Sequence, residues 1–346
     1  MGAGRRASKM RALKVAVFVL ALTVPAAVLG QGAEPRAGDA GLQRLEMEIG
    51  RAAKLAEGTV GVSALHIESG LRISFSAKER FPMASTYKLP IAVQILTLVD
   101  RKELSLGRMI EVNQKDLHPG SGILTTILSK PGLSLSVHNL LELMLLVSDN
   151  SATDLLLSLA GGPQAVTGRM RSLGLADMMV NRPTVQLIAD STGYPLPPEE
   201  EWTPERFRKL HEGTTRDSRR NAAQKFLEDP RDTTTPESMI SLIEKSHRRE
   251  ALSPENTSLL FEILERCQTG RNRIRGFLLP DTVVAHKTGT IAGTASDVGR
   301  ITLSDGAGHV AAAIYLKGME KEAGEKERTI AQISRAIYDY FLFRRQ

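Results

Sequence analysis

Three short groups of polar residues, far apart in the chain, contain the residue types that nucleophilic catalysis needs. The first is the segment Ser85-Thr86-Tyr87-Lys88. If a helix begins here, Ser85 and Lys88 lie one turn apart on the same face, within reach of each other. A desolvated lysine with a lowered pKa can take the serine proton, and the free N–H groups of a helix start favour negative charge on the serine oxygen. Ser85 is therefore the candidate nucleophile and Lys88 its base; a capping serine beside a solvated lysine is the alternative.

The second group, Ser148-Asp149-Asn150, follows one apolar run and opens another. A hydroxyl at Ser148 can relay a proton towards a leaving nitrogen, which gives this residue a catalytic role. The amide of Asn150 can bind a substrate carbonyl. A turn between two helices, capped by serine or aspartate, explains the same residues equally well.

The third group, residues 286–290, has the sequence His-Lys-Thr-Gly-Thr and is expected to end a strand. Gly289 would let a ligand approach the backbone, and an edge strand can pair with a peptide-like amide. Lys287 and Thr288 are assigned to substrate binding, with the lysine as the cation for an anionic group. The N–H of Thr290 would join that of the candidate nucleophile in an oxyanion hole. A polar strand end with a glycine bulge is the alternative.

Strand and helix patterns at both chain ends flank a helical middle and would bring these groups together. Apolar spacing predicts a first helix, a hairpin, a long helical region, three returning strands and a closing helix. The expected bounds are 42–56 for the first helix, 59–67 and 71–76 for the hairpin, 85–267 for the helical region, 282–286, 297–304 and 310–316 for the strands, and 325–341 for the last helix. The simplest assembly is a two-part α+β fold. One antiparallel sheet is built from both chain ends and packed by the terminal helices, with an all-helical domain inserted.

These patterns also predict the domain bounds. Residues 41–84 together with 269–346 form the sheet-and-helix domain, and residues 85–268 form the helical domain. Within the helical domain, residues 191–229 contain few aliphatic side chains, four prolines and charges of both signs. We interpret them as an excursion with one or two surface helices.

The first 30 residues have the pattern of a secretory signal peptide, with a basic start, a short apolar core and small residues after it. We expect residues 1–30 to direct export to the periplasm or the extracellular space, and residues 31–40 to be a linker; an uncleaved anchor is the alternative. Five cations and no acid lie in residues 1–30, so the net charge of +6 falls to +1 without them. The high charge is therefore no sign of nucleic-acid binding.

Composition excludes several other classes of protein. The single cysteine, Cys267, cannot form an internal disulfide, and no CxxC or HExxH spacing is present, so no metal and no cofactor is expected. No apolar run reaches the roughly 18 residues of a membrane-spanning helix, so no stable membrane insertion is expected after processing. We expect a monomer whose partner is a small molecule.

The order S-x-x-K, S-D-N, K-T-G resembles the class A serine β-lactamase family, within the penicillin-binding serine hydrolases. The resemblance extends from about Leu42 to the C-terminus and includes three further local likenesses: Gly161-Gly162-Pro163, Asp232–Pro236 and Gly270–Gly276. It implies that a β-lactam ring acylates Ser85 and that the acyl-enzyme is hydrolysed. It also implies the two-part fold described above. Arg273 matches a position at which some members hold an arginine for the substrate carboxylate, although a surface arginine is the alternative.

The resemblance breaks down at the ω-loop. Class A members carry an Arg-x-Glu there, whose glutamate activates the deacylating water. Arg182 stands at the matching distance, but Thr184 occupies the place of the glutamate, and threonine is not a general base near neutral pH. Asp232 fits the aspartate that pairs with this arginine in the family, yet 50 residues separate the two. We therefore expect an ω-loop insertion over 189–230, and deacylation that is slow.

Glutamates of the insertion are alternative bases, but a solvated acidic surface is the interpretation we favour. They are Glu199, Glu200, Glu201, Glu205 and Glu212. His118 either lines the mouth of the site or lies in a surface loop.

Three functions remain open from the sequence. The first is a secreted β-lactamase. The second is a D-alanyl-D-alanine carboxypeptidase acting on cell-wall peptides, which uses the same Ser-Lys-Ser set and tolerates the missing glutamate. The third is a sensor or binding module that β-lactams acylate without turnover.

Overall fold

Helices and strands alternate through the residues that the computed structural model describes, which are 1–2, 39–130 and 132–344. The helices are α1 (Ala40–Ala56), α2 (Lys88–Asp100), α3 (Val137–Leu146), α4 (Asn150–Leu159), α5 (Gly162–Ser172), α6 (Thr184–Thr192), α7 (Pro204–Gly213), α8 (Arg216–Glu228), α9 (Pro236–His247), α10 (Pro254–Glu265) and α11 (Ala323–Phe343). The strands are β1 (Thr59–His66), β2 (Arg72–Phe75), β3 (Phe81–Pro82), β4 (Met109–Val112), β5 (Leu133–Ser136), β6 (Thr233–Thr234), β7 (Val284–Ile291), β8 (Thr294–Thr302) and β9 (His309–Lys317). Nearly all of the predicted signal peptide and linker lies outside the described residues.

Strands from both chain ends form one antiparallel sheet of five strands, in the order β2-β1-β9-β8-β7. The first and last strands of the chain pair at its centre, where Val62 lies opposite Ile314. Strand β7, which carries the third polar group, is at one edge. The predicted α+β sheet made from both ends is therefore confirmed.

The two faces of the sheet are buried against different helices. In β9, Ala312 and Ile314 belong to the apolar cluster with α1 and α11, while Ala313 and Tyr315 belong to the cluster with the helical part. Because both faces are covered, β9 is apolar at nearly every position rather than at alternate ones. Each large aliphatic side chain buried in this way stabilises the fold by about 1.5–3 kcal/mol.

The predicted end of strand β7 was wrong. The strand was expected to stop at His286, but it continues through the polar motif to Ile291, and β8 begins at Thr294, three residues before its predicted start. The polar residues remain in the sheet because their buried groups find partners. His286 Nδ1, for example, lies 2.9 Å from Asp297 Oδ1 on the neighbouring strand. A strand whose polar side chains are buried and hydrogen-bonded lacks the alternation of apolar and polar residues from which strands are predicted.

We expected the inserted part to be all-helical, but it also contains short strands. Strands β4 and β5 form a two-stranded ladder, and β3 pairs with β6 in another. Residues 191–229 contain the surface helices α7 and α8, together with a short 3₁₀ turn. A small apolar cluster centred on Val185, Tyr194 and Phe207 joins α7 to α6.

None of the helices in the described part of the chain combines the length and the apolar character needed to cross a membrane.

Candidate active site

A tight turn presents Ser85 at the start of α2. Residues 84–87 form a 3₁₀ turn that runs directly into the helix, so Ser85 lies at the N-terminal, positive end of the helix dipole. Ala84 has a φ of +47°, a left-handed conformation that costs on the order of 1–3 kcal/mol for a residue with a Cβ. The hydroxyl of Thr86 donates to Met83 O at 2.7 Å and so holds the turn. Ser85 itself is half-buried and lines a cleft.

Gly289 allows strand β7 to lie against this turn. A Cβ at position 289 would come within 2.7 Å of Met83 O and 2.6 Å of Ser296 Oγ, closer than real side chains approach. The glycine was expected to admit a ligand to the backbone. The structure gives it a further role, since it admits the turn that carries Ser85.

Lys88 is completely buried, and all of its hydrogen bonds go to the second polar group. Its ammonium donates to Ser148 O at 2.7 Å, to Asn150 Oδ1 at 2.8 Å and to Ser148 Oγ at 3.1 Å. None of these bonds goes to Ser85, although the two residues lie one turn apart as predicted. Burial, and then the positive charge of Lys287, hold the pKa of Lys88 well below its ordinary value. The neutral amine is thereby made accessible as a base.

Ser148 lies between two lysines. Its Oγ accepts from Lys88 Nζ at 3.1 Å and from Lys287 Nζ at 3.0 Å. A serine hydroxyl has two acceptor positions and one proton, so when both lysines donate, the proton is left to point elsewhere. Burial lowers the pKa of Lys287 to about 8. The residue is thus a cation at neutral pH and titrates just above it.

The other residues of the second group, Asp149 and Asn150, make hydrogen bonds within the protein. Asp149 caps α4 by accepting from Ala152 N at 2.9 Å, as the structural interpretation of this turn expected. Asn150 accepts from Lys88 and donates from Nδ2 to Pro119 O at 2.8 Å. The segment is therefore a helix cap and part of the polar cluster at the same time.

Arg273, which we expect to bind a substrate carboxylate, makes several hydrogen bonds within the protein. It is buried, and its Nη1 donates to Gly289 O and Ser296 O, both at 3.0 Å. Its Nη2 donates to Thr290 Oγ1 at 2.7 Å, and its Nε lies 3.2 Å from Glu327 Oε1. Four of the five guanidinium donors are used in this way. These bonds hold the end of β7 in place, and the binding of a substrate carboxylate by Arg273 stays a prediction.

The neck of the ω-loop is closed by a buried ion cluster. Arg182 Nε lies 2.7 Å from Asp232 Oδ2, and its Nη1 lies 2.6 Å from Asp190 and 3.0 Å from Asp229. The pairing expected of Arg182 and Asp232 is present, and two further carboxylates join it. Burial raises the pKa of Asp232, although the hydrogen bonds from Asn181 and Arg182 oppose this.

Thr184 lies at the first turn of α6, where the family has its glutamate. Its N–H donates to Asp154 Oδ1 at 2.6 Å, and its hydroxyl contacts the hydroxyl of Tyr87. Burial and the Asp154 carboxylate raise the pKa of Tyr87 well above its ordinary value, so neither hydroxyl ionises near neutral pH. These two groups can hold a water but cannot take its proton.

His118 neither lines the mouth of the site nor lies in a surface loop. It is buried, its Nδ1 lies 2.7 Å from Asp154 Oδ2, and its ring meets Trp202 edge-on at 5.3 Å. The carboxylate of Asp154 thus joins His118 to the N-terminus of α6.

The glutamates of the insertion are exposed, and none of them lines the cleft among the described residues. Four form surface ion pairs: Glu199 with Lys115 at 2.6 Å, Glu201 with Arg206 at 3.1 Å, Glu205 with Lys209 at 2.8 Å and Glu212 with Arg208 at 3.0 Å. The solvated acidic surface is therefore the interpretation that fits.

The cleft at Ser85 has a volume of about 460 Å³. Its walls bring together residues of the three predicted groups, residues from both ends of α6 and, unexpectedly, three residues of α7 and α8. The residues of α7 and α8 are His211, Arg219 and Ala223. Nothing in the sequence distinguishes His211 and Arg219 from their basic neighbours, because only the packing of α7 and α8 in the folded chain places them at the cleft.

Comparison with known proteins agrees with this geometry. Residues 44–341 match the model of the beta-lactamase enzyme family. The chain is 25% identical over 307 residues to beta-lactamase VEB-1 of Pseudomonas aeruginosa, covering 86% of this chain and 90% of that protein. It is 28% identical over 291 residues to the extended-spectrum beta-lactamase PER-1 of the same organism, covering 82% and 83%. The crystal structure of a beta-lactamase from Chitinophaga pinensis superimposes with a TM-score of 0.69 at 26% identity, covering 86% of this chain and 98% of that one. The chain belongs to the class A serine β-lactamase family.

Proposed function

We propose that this protein opens the β-lactam ring through an acyl-enzyme on Ser85 and releases the product slowly. The observation that carries the proposal is the hydroxyl of Ser148, held between Lys88 and Lys287 beside the turn that bears Ser85. The substrate class is supported by the relatives, which are named beta-lactamases.

Acylation begins with proton transfer from Ser85 to Lys88. In the neutral amine, two N–H groups satisfy Ser148 O and Asn150 Oδ1, and the lone pair is free to accept. The Ser85 oxygen then bonds to the carbonyl carbon of the strained cyclic amide, and the carbonyl electron pair moves to oxygen. We assign the N–H groups of Ser85 and Thr290 to this oxyanion.

Ring opening requires a proton at the leaving nitrogen. Ser148 gives its hydroxyl proton to that nitrogen as the C–N bond breaks, and Lys88, 3.1 Å away, returns the proton taken from Ser85. The proton therefore moves from Ser85 through Lys88 and Ser148 to the substrate nitrogen. We assign the carboxylate on the ring that contains this nitrogen to Thr288 and to Lys287, which is buried and lies 3.0 Å from Ser148 Oγ.

Deacylation is the slow step of the proposed cycle. Water must attack the ester carbonyl and lose a proton, and Thr184 cannot accept it. Loss of a positioned general base costs about 10²–10⁴-fold in its step. A second candidate function follows from this observation, namely a binding or sensor protein that β-lactams acylate with almost no turnover.

We also propose where the protein acts and in what form. The pattern of residues 1–30 supports export by a signal peptide to the periplasm or beyond. We propose a monomer that acts on a small molecule and uses no metal or cofactor.

A chromogenic cephalosporin and intact-protein mass spectrometry test the proposal together. We expect a burst of one ring opening per protein, then slow turnover, with a mass addition that maps to Ser85 and is absent in Ser85→Ala. Turnover that is unchanged in Ser85→Ala would overturn the assignment. Release of D-alanine from a cell-wall pentapeptide, without β-lactam turnover, would favour the peptidase instead.

A further inference from the structure

The insertion contributes a basic wall to the reaction cleft. Helix α8 carries four cations, of which Arg216, Arg220 and Lys225 are exposed and only Arg219 is half-buried. Arg219 lines the same cleft as Ser85 and Thr290. Its side chain is therefore turned inwards, towards the place where a substrate would lie.

Arg219 has no carboxylate partner within the described part of the chain. Its one hydrogen bond runs from Nη1 to Nε2 of His211, at 3.4 Å, and no acidic residue lines the cleft. When His211 accepts this bond at Nε2, the neutral ring carries its proton on Nδ1 and keeps a donor of its own. Basic neighbours such as Arg206 and Arg208 are, by contrast, paired with surface glutamates.

The position of Arg219 is fixed by close packing. Gly193, which ends α6 with a φ of +89°, lies so near α8 that a Cβ there would come within 2.9 Å of Ala222 Cβ and 3.0 Å of Ser218 O. The ion cluster of Arg182 closes the neck of the same loop. Helix α8, which carries Arg219, is thus packed closely against the end of α6.

The proposed reaction says which part of a β-lactam meets this wall. Ser148 protonates the ring nitrogen, so the nitrogen and the carboxylate of its ring face Ser148 and Lys287. The carbon on the other side of the carbonyl carries the acyl side chain, which therefore extends towards Thr290, α6 and α8.

We propose that Arg219, with His211 beside it, forms an anion-binding subsite for β-lactams whose acyl side chain carries a carboxylate. This inference rests on the proposed function for the orientation of the substrate. It gives the insertion a role in selecting substrates.

Two penicillins that differ by one carboxylate test this subsite. Benzylpenicillin and α-carboxybenzylpenicillin share the ring and the phenyl group, and only the second has a charged side chain. Calorimetric Kd values are measured in Ser85→Ala, which prevents chemistry, and the second-order rate of acylation is measured in the protein with Ser85 intact. We expect the carboxylated compound to be favoured by about five- to tenfold at low salt in both measurements.

Substitution at Arg219 is the decisive step. In Arg219→Gln the preference should fall to within about twofold, while Arg220→Gln, one position along the helix and 3.8 Å from Glu320, should keep it. Equal values for the two penicillins before substitution, or equal losses in Arg219→Gln and Arg220→Gln, would overturn the subsite.

The outcomes also separate the subsite from the proposed function. Acylation of Ser85 at the same rate by both compounds would remove the subsite and leave the β-lactamase proposal standing. A Kd preference that depends on Arg219, without acylation of Ser85 by either compound, would keep the subsite and remove the proposed chemistry. Failure of both compounds to bind and to acylate would remove both.

Discussion

The candidate site has two halves, and they differ in how closely they match the pattern expected of the family. On the side of α2, β7 and the turn between α3 and α4, Lys88, Ser148 and Lys287 form a buried cluster joined by hydrogen bonds of 2.7 to 3.1 Å. On the side of the ω-loop, Arg182 and Asp232 are paired, Thr184 stands where we expect the family's glutamate, and helices α7 and α8 lie between the two paired residues. The contrast teaches that, in the proposed cycle, the groups that form the acyl-enzyme and those that release it lie on separate elements of the fold. One half can remain intact while the other is rebuilt.

The largest expected effect falls on the intact half. Lys88→Met should lower the rate of acylation of Ser85 by about 10²–10⁴-fold, because the base is lost while the volume of the side chain is nearly kept. Stopped-flow kinetics with a chromogenic cephalosporin measure this rate. Lys78→Met, an exposed lysine, is the control. A Lys88→Met protein that folds normally and is acylated at the parent rate would remove Lys88 from the mechanism.

Breaking the anchor of the ω-loop should cost stability. Arg182→Gln leaves Asp232 and two further carboxylates without their buried cation, and we expect a loss of about 3–5 kcal/mol in the free energy of unfolding. Urea unfolding followed by circular dichroism gives this value. Arg231→Gln, at an exposed arginine of the same loop, should cost less than about 1 kcal/mol. Equal losses in both variants would mean that the cluster does not close the loop.

Placing a glutamate at position 184, where we expect the family to have one, should speed up deacylation. Thr184→Glu places a carboxylate where the deacylating water is expected, and we predict release of the acyl group about 10²-fold faster, with acylation little changed. Decay of the benzylpenicillin adduct, followed by mass spectrometry, measures it, and Thr184→Gln is the uncharged control. If the lifetime does not change, the insertion has moved this loop away from the water position.

A smaller effect concerns pH. Lys287, whose pKa burial lowers to about 8, is a cation below that pH and loses its charge above it. If the cation binds the substrate carboxylate, acylation should fall by about fivefold between pH 8 and pH 9, because the charged fraction of Lys287 drops from about one half to about one tenth. Lys287→Arg keeps its charge throughout this range and should move the fall to higher pH. An alkaline limb unchanged in Lys287→Arg would assign it to another group.

The sequence predicted well those elements whose apolar residues follow a regular local spacing. The apolar face of α11 and the strands β1 and β9 follow from periodicity, and the order of the three polar groups led to the family. Contacts across long separations could not be predicted in this way. Arg273 and Glu327 are 54 residues apart, and only the packing of α11 against the sheet brings them together. Arg219 likewise reaches the cleft only because α8 packs on Gly193.

The central claim is that this chain acylates quickly at Ser85 and deacylates slowly. The most direct test mixes the protein rapidly with benzylpenicillin and follows, by mass spectrometry of the quenched samples, both the Ser85 adduct and the free product. The account predicts that nearly all of the protein becomes adduct within the first turnover and that product then appears slowly, at the rate at which the adduct decays. Rapid product formation with no accumulated adduct, or an adduct on any residue other than Ser85, would contradict it.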